Sequence, residues 1–121
     1  MTNGKNDLSE RLLDFSGKVI ELVIRLKKTA IGRHIANQLT RSATSAGANY
    51  AEACAAESRA DFVHKLHLVL KELNESNYWL HLVVKTSLCT TNDTDLAALV
   101  KESQELINII AKSILTAKKR S

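Results

Sequence analysis

The sequence predicts an all-α fold, an antiparallel up-down-up-down four-helix bundle. Proline is absent and only four glycines occur in 121 residues, so nothing interrupts long helices. Apolar residues recur at heptad spacing in four separate stretches. Short polar segments with capping residues separate the stretches, and short connections force neighbouring helices to run antiparallel. The length suits one domain, residues 1–121, able to bury roughly two-thirds of its unfolded surface.

The first helix is expected over about residues 8–28. Leu8, Leu12, Phe15, Val19, Leu22 and Leu26 form its seam, and Lys27 and Lys28 suit the negative end of its dipole. Gly32 reads as the break before the second helix, 33–57. There the same spacing runs through Ile35, Leu39, Ser42, Ala46, Asn49, Ala53 and Ala56, mostly small residues. Ser58 with Asp61 resembles a capping box opening the third helix, 59–88, whose seam is Phe62, Leu66, Val69, Leu73, Ser76, Leu80 and Val83. The polar run Thr90 to Asp93 supplies N-cap groups for the fourth helix, 93–118, with Leu96, Val100, Ser103, Ile107, Ile110 and Ile114 inward. Residues 1–6 and the tail from Lys118 read as disordered.

The formal charge of +4 permits an anionic partner without requiring one. Cys54 and Cys89 form no CxxC pair, the N-terminus has no apolar signal core, and no apolar run approaches a membrane span. A reduced, cytoplasmic protein with no membrane partner is the expectation.

Apolar residues remain once the seams are used. Leu13, Gly17, Ile20 and Ile24 form a second stripe opposite the seam of the first helix, and Leu68, Trp79 and Leu82 point away from that of the third. A monomeric bundle needs one stripe per helix, so these residues are candidates for a homo-oligomer interface. In the second helix the alanines between Ala43 and Ala56 favour helix and let neighbouring backbones approach closely. Gly47 would leave a gap that a neighbouring side chain fills, which makes it a further interface candidate.

Antiparallel pairing places Arg41 near Glu72, Glu75 and Ser76, and Glu52 near Lys65. With Ser45 and Asn49 these groups read as a buried polar network that sets helix register, in preference to an anion or RNA site on Arg41. His64, His67 and Lys71 line another face of the third helix, and Lys118, Lys119 and Arg120 end the fourth. All six are candidate contacts to RNA or DNA phosphates. Two histidines three apart do not complete a metal site, so no metal or other cofactor is expected. No nucleophile and base fall into a recognisable catalytic grouping, so no catalytic residue is assigned and a non-enzymatic role is expected.

The runs Gln38 to Ser42, Ser45 to Ala53, Glu57 to Phe62, His64 to Leu66, Leu70 to Glu72, Glu75-Ser76 and Tyr78 to Leu80 resemble the signature of the 23S rRNA intervening-sequence proteins of bacteria. Asn74, where an acidic residue is common, and Ala51 and Ala53 depart from that pattern. The resemblance implies a four-helix bundle assembled as a ring, typically a homopentamer, with no established reaction. Some relatives are encoded within insertions in large-subunit rRNA genes. That favours a nucleic-acid-associated scaffold, the alternative being a purely structural or protein-partner-binding module.

Overall fold

The computed structural model describes residues 4–86, 88–89 and 93–120, with side chains from Asp7 onward. Four helices account for nearly all of them: α1 (Gly4–Leu26), α2 (Ala30–Cys54), α3 (Arg59–Lys85) and α4 (Thr94–Lys119). The helices form a closed circuit in which α1 neighbours α2 and α4, and α3 neighbours α2 and α4. The circuit encloses one apolar core, and among the described residues no helix is long and apolar enough to cross a membrane.

Capping chemistry sets the boundaries. Thr29 is the N-cap of α2, its hydroxyl accepting from the Gly32 amide at 3.0 Å. The helix therefore starts before Gly32, which sits buried in the first turn and does not act as a break. A Cβ there would overlap the Leu26 carbonyl oxygen, so the glycine permits the tight α1–α2 crossing. Ser58 caps α3 by accepting from the Asp61 amide at 3.1 Å, and Asp93 caps α4 by accepting from Leu96 at 2.9 Å. Both ends expected to be disordered are partly helical, since α1 begins at Gly4 and α4 continues to Lys119. Residues 90–92 of the expected capping run lie outside the described residues.

The seams of α1 and α3 are buried as expected, apart from the half-buried Phe62. α2 buries a second face as well: Ala36, Ala43 and Tyr50 lie seven residues apart and are inaccessible beside its heptad seam. The alanines serve two neighbours at once, because α2 contacts both α1 and α3 extensively. In α4 Leu96, Ser103, Ile110 and Ile114 are buried as expected, but two positions of the stripe shift by one residue. Leu99 and Leu106 are fully inward, whereas Val100 and Ile107 are half-buried. Both pairs fit a helical stripe, and the choice is made where α4 packs against α3 and α1.

Each helix contributes a buried serine to a polar girdle. Ser16 donates to the Ala43 carbonyl at 3.1 Å, and the hydroxyls of Ser42 and Ser76 lie 2.8 Å apart. Asn77 donates to Ser103 at 2.8 Å. Residues 42–43 and 76–77 are sequence neighbours, so the three contacts fall at one level of the bundle. No described buried side-chain polar atom lacks a partner, and the girdle costs no unsatisfied group.

Candidate functional site

The best-defined polar constellation joins α2 to α3. Arg41 donates to Glu72 at 3.2 Å and forms a close ion pair with Glu75. The indole Nε1 of Trp79 donates to the same Glu75 at 3.0 Å. Two donors on one carboxylate, Arg41 first and Trp79 second, hold Glu75 below the usual glutamate range. Trp79 packs edge-on against His34 and Tyr78, with ring centroids 6.1 and 5.2 Å away. Sequence reasoning missed Trp79 as a member, although its spacing of four from Glu75 places both on one helical face.

Two expectations for this network change. It is not buried, because the Arg41 side chain is 45% exposed. Nor does it include Ser45 and Asn49, since the Asn49 amide donates to the Ser45 carbonyl within α2 at 2.9 Å. Glu52 and Lys65 form a separate pair at 2.7 Å nearer the end of α2. Arg41 is engaged by two carboxylates.

A second set of ties closes α1 against α4. Arg11 donates to both Glu102 oxygens at 3.0 and 2.6 Å and reaches Glu105 at 3.2 Å. Arg25 donates to Asp93 at 2.7 Å. Burial works to raise the Asp93 pKa, but the Leu96 amide and Arg25 outweigh it and keep Asp93 below the usual aspartate range. Burial, reinforced by the charge of Asp93, pushes the Cys89 thiol up, which leaves it un-ionised at neutral pH.

The apolar stripe of α1 is exposed. Leu13 and Ile24 are 65% and 64% accessible, Ile20 is 43%, and a Cβ added at Gly17 would meet nothing within 4 Å. The other interface candidates differ. Gly47 is half-buried against Leu12 and Ser16 of α1, so its gap is used inside the chain. Leu68, Trp79 and Leu82 are half-buried as well. Trp79 and Leu82 pack on the core and line an apolar pocket of about 400 Å³ with Ile31, His34 and Leu88.

The six candidate phosphate contacts fall into two places. His64, His67 and Lys71 are exposed on α3, and Lys118, Lys119 and Arg120 are exposed at the end of α4. Among the described residues, no group of three or more His, Cys, Asp or Glu side chains converges as metal ligands would.

The family model described as 23S rRNA-intervening sequence protein matches residues 5–112. The chain is also similar to a solved protein of unknown function from Bacteroides thetaiotaomicron VPI-5482, assigned to the S23 ribosomal protein family. The two are 33% identical with a TM-score of 0.78, over 88% of this chain and 97% of the other. None of the curated proteins matches. A shared four-helix fold and a match over most of the sequence agree on one conclusion: the chain belongs to the 23S rRNA-intervening sequence protein family.

Proposed function

We propose that this protein is a non-enzymatic scaffold, an antiparallel up-down-up-down bundle that assembles into a homo-oligomeric ring, pentameric by family resemblance, and associates with RNA or DNA in the cytoplasm. The observation that carries the reading is the exposed α1 stripe of Leu13, Gly17, Ile20 and Ile24. Water contact with such a stripe is unfavourable, and a second copy would remove it. The apolar pocket beside Trp79 and Leu82 lies on a different face, between α2 and α3. Two unlike apolar surfaces on one chain suit a head-to-tail contact, which closes into a ring when the rotation permits. Antiparallel order is supported by the pairs Arg41–Glu75 and Glu52–Lys65, and by Arg11–Glu102 and Arg25–Asp93, whose numbers rise in one helix and fall in the other. A binding role is supported over catalysis because Glu72, Glu75, Glu102 and Asp93 are all engaged by arginine and so poorly placed for proton transfer.

Sedimentation equilibrium of the wild type and of Ile24→Glu tests the assembly. The wild type should be oligomeric and the variant smaller but folded. A monomeric wild type would overturn the ring. Filter binding to structured RNA and DNA across a salt series tests the association, which should weaken steeply as salt rises. The apolar pocket beside Trp79 favours a second reading, a structural or protein-partner-binding module. An oligomer that retains no nucleic acid at low salt would select it.

A further inference from the structure

The net charge of the protein is confined to one stretch. Residues 106–121 hold four of the seventeen Lys and Arg and none of the thirteen Asp and Glu, so the rest of the chain is charge-balanced. α4 carries Lys112 and Arg120 on one side together with Ile109, and the start of α3 faces them with Arg59 and Phe62. A cleft of about 410 Å³ lies between, its wall mainly apolar and, among the described residues, free of carboxylates. Asp61, close by in sequence, instead adds its charge to the Lys65 side of α3.

These cations differ from the three arginines that tie the helices together. Arg11, Arg25 and Arg41 each hold a carboxylate. Among the described residues, Arg59, Lys112 and Arg120 have no ion-pair partner, and Arg59 uses only Nη1, donating to the Ala117 carbonyl at 3.3 Å. The helix dipole explains Lys118 and Lys119 in the last turn of α4, but Lys112 lies two turns before that end. Arg59 is the first residue of α3, where the dipole disfavours a cation. Arg59 offsets that cost in part through the Ala117 carbonyl in the last turn of α4, whereas Lys112 has no such role, and both sit at the mouth of one cleft.

We propose that this cleft binds a nucleoside phosphate, its phosphate among Arg59, Lys112 and Arg120 and its base laid on the half-buried ring of Phe62. Convergent unpaired cations suit the phosphate, and an aromatic ring beside an aliphatic wall suits any base, so recognition would be tolerant of sequence. The site deepens the nucleic-acid reading above and rests on it. The nucleotide would be a unit of a single strand, and a free nucleotide presents the same chemistry.

The test is fluorescence anisotropy with a labelled ten-nucleotide single-stranded RNA, competed by AMP or inorganic phosphate. The Lys112→Gln/Arg120→Gln variant, altered only at exposed positions, should melt like the wild type. It should bind about tenfold or more weakly, with a log–log salt slope shallower by about 1.4. Phe62→Leu should weaken RNA binding about tenfold, and AMP should compete far better than phosphate. Wild-type RNA binding that neither variant alters would overturn the cleft and leave the scaffold reading standing. AMP binding without RNA binding would support the cleft and overturn the nucleic-acid reading. Equal competition by phosphate and AMP would overturn the nucleoside assignment, and a wild type that binds none of the probes would overturn both readings.

Discussion

The hydroxyls of Ser42 and Ser76 meet 2.8 Å apart at the centre of the α2–α3 contact, with both residues fully buried. Each also reaches a carbonyl of its own helix, Leu39 at 3.2 Å for Ser42 and Glu72 at 3.0 Å for Ser76. Removing one hydroxyl therefore leaves its partner with a second place to bond. Ser42→Ala should cost only about 1 kcal/mol in denaturant unfolding, the value of one net hydrogen bond. Ser76→Leu should cost more, about 1–3 kcal/mol, because the added bulk forces α2 and α3 apart. If the leucine variant were the more stable of the two, close approach at this point would not be what the serines provide.

Arg41 bridges Glu72 and Glu75 while remaining 45% exposed. Solvent screens such a pair, so Arg41→Ala should lower stability by only about 0.2–1 kcal/mol. The loss from a buried network would be about 3–5 kcal/mol, and thermal melting separates the two cases.

Glu75 and Asp93 both have folded-state pKa values below their ordinary ones. Their contribution is present above the unfolded carboxylate range, about 3.9–4.3, and is lost as pH falls through the lower folded values. Melting temperature should fall on acidification below about pH 4. In Glu75→Gln/Asp93→Asn this acid limb should be shallower, and asparagine preserves the cap of α4. An unchanged limb in the double variant would assign acid sensitivity to other groups.

Three helical glycines should respond differently to alanine. Gly17 has open space around it, and at Gly47 the new methyl would find Ser16 and Leu12 at 3.8 and 3.9 Å, ordinary contact distances. Both substitutions should stabilise the protomer by about 0.5–1 kcal/mol through helix propensity. Gly32→Ala should destabilise by about 3 kcal/mol or more, because the Leu26 carbonyl occupies the position. Chemical denaturation of the three variants checks the order.

Much of the bundle is legible in the sequence because heptad spacing and capping act locally. Ser58 caps α3, and Arg41 meets Glu72 and Glu75, the partners expected for it. Less is legible where two stripes compete. Val100 and Leu99 are equally apolar, and only the packing of α3 and α1 around α4 selects Leu99. Gly32 resembles a break in the sequence because its role depends on the Leu26 carbonyl brought against it by the α1–α2 crossing. The cleft beside Phe62 is not legible at all, since Arg59 and Arg120 are far apart in the chain and meet only through α3–α4 pairing.

The sequence by itself determined four amphipathic helices, the caps of α3 and α4, their order and their family, because each depends on spacing within one segment. Tertiary structure alone decided that Gly47 serves an internal contact, that the Arg41 network is solvent-screened, and that the unpaired cations share a cleft with Phe62. Burial and convergence arise from how helices rotate against one another. A rotation by one residue's angle is invisible to a heptad pattern but exchanges an inward side chain for an outward one.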